Sequence, residues 1–142
     1  MLLNKEQINK LIPQSPPFLL LDAVTDCTNE LLVAEYQFSK DEYFFKGHFP
    51  GDPIVPGVLL CECCLQAGAV WMAMQSNHAI MGKAIVTKMD KVKFKNFLRP
   101  DESITIQVSP IEKIENFTLM KGKITNHDTI VMTMEFMVGV TK

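Results

Sequence analysis

Between Ile54 and Met74 the chain carries its most apolar stretch, with Pro56 and Gly57 at its head. Proline is tolerated in the first turn of a helix, where the amides have no partner anyway. The pattern therefore predicts a helix from Pro56-Gly57 to about Asn77. Val58, Leu59, Leu60, Leu65, Ala67, Ala69, Val70 and Met72 leave it no clear polar face, and a helix that is apolar all round is a buried one. At ~1.5 Å per residue it would be ~30 Å long. One chain of 142 residues would struggle to enclose such a rod, so a partner subunit is expected to cover the remainder. Pro56, Gly57, Glu62 and Gln66 interrupt the stretch, which argues against a membrane span.

The remainder of the chain narrows the class. Its length suits one domain, residues 1–142. Hydrophobic residues make up 47% and charged residues 21%, the composition of a soluble globular protein. With 14 basic against 16 acidic side chains the net charge is −2, which argues against a general nucleic-acid binder. Charge enters at Lys5 and Glu6, too early for the apolar core of a signal peptide. A cytoplasmic protein is expected.

Asn4 followed by Gln7 predicts a capped helix near 5–11, ended by Pro13, Pro16 and Pro17. Phe18–Asp26 and Glu30–Phe38 read as strands, and Ser39-Lys40-Asp41-Glu42 as the start of a single helical turn. A stiff loop, Gly47–Pro56, precedes the long helix. Four more strands are predicted at about 83–97, 103–115, 117–125 and 130–140, with Asn126-His127-Asp128 as the last hairpin turn. Strands outnumber helices and no βαβ alternation appears. The fold class is α+β, an antiparallel sheet wrapped on one helix.

Cys61, Cys63 and Cys64 crowd the helix, and Cys27 lies elsewhere. Cys61 and Cys64 share a face while Cys63 points away, and no second cluster completes four ligands. They are read as buried thiols that pack, not as a metal site or disulfides.

Glu62 and Gln66 are four residues apart and so share a face within reach of each other. A carboxyl group in such surroundings is costly to ionise. His48 lies in the stiffened loop before this helix, in Gly47-His48-Phe49-Pro50-Gly51-Asp52-Pro53. Histidine is suited to proton transfer near neutral pH, and a stiff loop places it well. Gly57 offers an outward amide at the positive end of the helix dipole, with no side chain in the way of a carbonyl oxygen. Base, acid and oxyanion donor together suggest proton abstraction beside a carbonyl with loss of a leaving group.

Gly47-His48-Phe49-Pro50-Gly51-Asp52-Pro53-Ile54-Val55-Pro56-Gly57-Val58, followed by Glu62 and Gln66, resembles the signature of the (3R)-hydroxyacyl-[acyl carrier protein] dehydratases of FabZ type. Pro17–Asp22, Lys91–Phe94 and Arg99–Glu102 extend the resemblance over roughly residues 8–140. It implies a hot-dog fold, a homodimer or trimer of dimers, and a site shared between subunits, with His48 of one meeting Glu62 of the other at an apolar tunnel. Water would be eliminated from a 3-hydroxyacyl thioester to give the trans-2-enoyl thioester. His48 would take the C2 proton, Glu62 would serve the departing hydroxyl, the Gly57 amide would polarise the carbonyl and Gln66 would orient Glu62. No metal or redox cofactor is required. Relatives of FabA type tend to carry Asp where Glu62 stands, so Glu favours plain dehydration. Asp52 stands where many plain dehydratases have His. Ile85 and Val86 stand where aromatics often gate the tunnel.

Lys91, Lys93 and Lys95 alternate with Val92 and Phe94, which puts the lysines on one strand face. With Arg99 they are candidate docking residues for an acidic acyl carrier protein. His78 is expected at the helix end and His127 in a solvated turn. Trp71, Met72 and Met74 are expected to pack. A hot-dog thioesterase and a non-catalytic acyl-binding subunit are the competing readings.

Overall fold

The computed structural model describes residues 1–75 and 84–140. His78 lies outside the described residues. The elements run β1 Leu3–Asn4, α1 Lys5–Asn9, β2 Ala23–Cys27, β3 Leu32–Gln37, a 3₁₀ turn Tyr43–Lys46, α2 Gly57–Gln75, β4 Ala84–Phe94, β5 Ser103–Ile114, β6 Phe117–Asn126 and β7 Thr129–Val140. All seven strands join one antiparallel sheet, ordered β1-β2-β3-β5-β6-β7-β4. α2 lies against its inner face and touches β3, β5, β6, β7 and β4. This is the hot-dog arrangement of a curved sheet around one helix.

Period-two burial builds the core. Leu32, Ala34 and Tyr36 on β3, Ile104, Ile106 and Val108 on β5, and Met132, Met134, Phe136 and Val138 on β7 all point inward. α1 is capped as the sequence predicts: the Gln7 amide donates to Asn4 Oδ1 at 2.9 Å, and the Asn4 amide donates to Gln7 Oε1 at 2.8 Å. It ends two residues sooner than expected. Tight two-residue turns close both long hairpins, with Glu115 and His127 at positive φ. His127 is exposed.

Two local expectations are corrected, and one element is added. The first long strand is not Phe18–Asp26 but Ala23–Cys27. Leu19, Leu20 and Leu21 are all buried, so the segment does not alternate between two faces as a strand over a core would. The helical turn forms after Ser39–Glu42, at Tyr43–Lys46. The short β1, which pairs with β2, had no periodic signal to announce it.

α2 is long and apolar enough to cross a membrane by composition alone, yet eleven of its residues are buried in the fold. Cys61, Cys63 and Cys64 are buried there, and burial pushes their thiols up. They pack, as expected; Cys64 Sγ lies 3.8 Å from Met132 Sδ. Trp71 packs in the same core and donates from Nε1 to the Thr28 carbonyl at 2.9 Å.

Candidate active site

The sheet leaves one stripe of α2 less covered. Val58, Glu62, Leu65 and Met72 are exposed or half-buried, and at 100° per residue they fall within a narrow arc. Glu62 is the only carboxyl group on this apolar stripe. Burial raises its pKa, and a hydrogen bond from Gln66 opposes part of that rise.

Gln66, one turn on, is fully buried. Its Nε2 donates to Glu62 Oε2 at 2.9 Å and to the Phe18 carbonyl at 2.7 Å, while its Oε1 accepts from the Leu20 amide at 2.8 Å. A buried amide satisfied at both ends holds one orientation. It therefore fixes Glu62 and also satisfies the backbone of the Phe18–Leu20 segment where that segment leaves the sheet pattern. Spacing along a helix could predict the Glu62–Gln66 contact. The two backbone partners, 46 and 48 residues away, carried no sequence signal.

His48 is held by its own loop. Its Nδ1 lies 2.9 Å from the Ile54 carbonyl oxygen. A carbonyl only accepts, so Nδ1 carries the proton and Nε2 of the neutral ring keeps its lone pair. The loop is closed by hydrogen bonds from Ile54 N to His48 O at 3.0 Å and from Asp52 N to Phe49 O at 2.9 Å. It is tied outward by Val55 N to Leu98 O at 2.8 Å and by an ion pair between Asp52 and Arg99. Within one chain, no hydrogen bond joins His48 to Glu62 among the described residues.

Gly57 opens α2, where the first amides have no acceptor inside the helix. A Cβ built on it would come within 2.9 Å of the Phe94 ring. The close approach of Phe94 thus depends on glycine at this position.

Of the four basic residues expected to dock a carrier, the structure brings two into one groove. A groove of about 460 Å³ on the sheet is lined by Lys91 and Lys93 together with Lys121, Lys123, Gln107 and Ser109. Lys95 is not among its lining residues, because β4 ends at Phe94 and the Lys95 amide turns to the Val131 carbonyl. Nor is Arg99, which is paired with Asp52 in the His48 loop; Lys91 is likewise paired, with Glu135 of the groove wall at 3.4 Å. β4 changes register between Asp90 and Lys93, with Lys91 at positive φ, and Lys91 and Lys93 still line one groove. Lys121 and Lys123 were invisible as members of the group, since they come from β6.

Residues 12–135 match the model of the FabA-like domain. The 3-hydroxyacyl-[acyl-carrier-protein] dehydratase FabZ of Petrotoga mobilis is 33% identical over 140 residues, 99% of each chain. That of Enterococcus faecalis is 34% identical over 137 residues, 94% of this chain and 96% of its own. Among solved structures, the dehydratase heterocomplex ApeI:P from Xenorhabdus doucetiae superposes with a TM-score of 0.81 at 18% identity, covering 95% of this chain and 91% of that one. The PaaI protein of E. coli gives 0.66 at 12% identity, over 82% and 80%. These two likenesses establish the fold. With the family model and full-length relatives above 30% identity, the chain belongs to the FabA-like family, among its FabZ-type 3-hydroxyacyl-[acyl-carrier-protein] dehydratases, which are hydro-lyases.

Proposed function

We propose that the protein removes water from a (3R)-3-hydroxyacyl group carried as a thioester on acyl carrier protein, in fatty-acid or related acyl-chain synthesis. The observation that carries the reading is the carboxyl of Glu62, set on the apolar stripe of α2 and clamped by a buried glutamine. His48 Nε2 takes the proton from C2. The C2=C3 double bond forms as the C3–O bond breaks. Glu62, kept protonated to higher pH by its burial, gives its proton to the departing hydroxyl, which leaves as water. The Gly57 amide donates to the thioester oxygen as charge builds on it. Acid and base each contribute about 10²–10⁴-fold.

His48 and Glu62 act across two copies of the chain. β4 supports this: it is the longer of the two edge strands among the described residues, and Ile85, Val86 and Met89 along it are exposed. A long apolar edge is a template for pairing, so a second β4 fits there, and dimers can assemble further into a trimer of dimers. The carrier, working in the cytoplasm, docks by charge on the groove of Lys91, Lys93, Lys121 and Lys123.

The test is enoyl formation from 3-hydroxyacyl-carrier thioesters of graded length, with His48→Ala and Glu62→Gln as controls. Enoyl absorbance that both variants abolish is expected. Release of free thiol without enoyl product would establish a thioesterase instead, and no turnover at all would establish an acyl-binding subunit.

A further inference from the structure

The imidazole of His48 is constrained twice. Its Nδ1 edge is fixed by the Ile54 carbonyl at 2.9 Å. Its face is covered by the ring of Phe49, with centroids 4.3 Å apart and planes 23° from parallel. Phe49 has little else to do in the fold. It is 51% exposed and stands outside the buried core cluster. A large apolar ring left half-exposed by its own chain gains little from burial within that chain, so packing inside one chain does not explain its placement. What it does accomplish is local. The hydrogen bond alone leaves the ring free to swing about the Nδ1···O axis, and the stack removes that freedom. Together they aim Nε2 in one direction, and the phenyl excludes water from one side of the imidazole. The negative face of a phenyl ring also suits the positive charge that the imidazole carries after taking a proton.

We propose that Phe49 is a positioning residue for His48, holding the imidazole in the plane from which Nε2 reaches the substrate. The proposal rests on the reading of His48 as the base. It concerns neither the acid nor the oxyanion donor. Phe49→Leu removes the aromatic face at little cost to the core, and Phe49→Tyr preserves it. In Phe49→Leu, kcat for enoyl formation falls roughly tenfold, inside the ~10²-fold that an ångström of misplacement can cost, while KM is unchanged. Phe49→Tyr restores kcat.

A second readout needs no turnover. In protein labelled at histidine, the ring protons of His48, assigned by comparison with His48→Ala, carry a ring-current shift in the wild type and in Phe49→Tyr, and lose it in Phe49→Leu. Wild-type kcat in Phe49→Leu, or a Tyr variant as slow as the Leu variant, overturns the proposal. Loss of kcat without loss of the ring-current shift overturns it too. Activity that survives His48→Ala overturns the base assignment itself and this proposal with it, whereas failure confined to the Phe49 variants leaves that assignment standing.

Discussion

At position 62 a carboxyl group sits half-buried on an apolar stripe, and its titration ties the site to stability. Burial raises its pKa in the folded chain, with Gln66 opposing part of the rise. As pH climbs past the ordinary glutamate value of about 4.3, the unfolded chain gives up this proton before the folded one does. The folded state then binds more protons, so this group makes folding less favourable as pH rises, and its penalty is complete above the folded pKa. Glu62→Gln retains an oxygen to accept from Gln66 Nε2 and removes the ionisation. Urea melts of the two proteins should coincide near pH ~4 and diverge toward pH ~8, with the variant more stable. A gap that is constant across pH would show that the carboxyl ionises as freely in the fold as out of it. The same residue, by the mechanism proposed above, is indispensable to catalysis. Stability and activity should therefore move in opposite directions at this position.

Between elements, the helix can approach the sheet only where side chains are missing. Gly68 on α2 faces Phe136 of β7: an added Cβ would lie 2.7 Å from one ring carbon and 3.3 Å from the sulfur of Met120. Both neighbours are buried, Phe136 at 1% exposure and Met120 at 0%, so neither can swing into solvent. Gly68→Ala gains helix propensity but overpacks the core, and the net result is a loss of about 1–3 kcal/mol in chemical denaturation. A gain in stability would mean that the sheet yields at this point. Gly57 meets Phe94 at a similar distance, but that ring is 54% exposed and can move. The contrast shows what the sequence conceals at this scale: both glycines sit in one apolar helix, and only the partner across the interface separates them. The reverse holds for α1, whose Asn4 and Gln7 are close in sequence and whose cap was readable in full. Residues 18–21 read as strand because consecutive buried leucines resemble those of a strand, while Phe18 and Leu20 find their backbone partner in Gln66 of α2.

Over the whole molecule, the proposed second copy would meet the less covered stripe of α2 and the β4 edge, and this arrangement makes one prediction. If each site takes His48 from one chain and Glu62 from the other, a mixed dimer of His48→Ala and Glu62→Gln chains contains one intact site. Refolding the two inactive variants together in equal amounts should then restore about a quarter of wild-type activity, since half the dimers are mixed and each has one good site. A site contained within one chain would give no recovery. The lysine groove predicts a different signature. Lys93→Glu should raise KM for the carrier-bound substrate far more than for a small thioester, and the difference should shrink as salt is added. Equal effects on both substrates would remove the groove from carrier recognition.

Fold class and the outline of the site were legible in the chain because they rest on short-range regularities. Two-residue and 3.6-residue periods specify which faces are apolar, an Asn and a Gln three apart form a cap, and Glu62 and Gln66 four apart must meet on a helix. What only the folded chain decided depends on backbone and distant contacts. The Ile54 carbonyl orients His48, the Phe18 and Leu20 backbone groups lock Gln66, and lysines of β4 and β6 meet in one groove while Lys95 falls beyond the end of β4. Backbone donors and acceptors are the same at every position but proline. Only the path of the chain in three dimensions selects which of them a side chain will find.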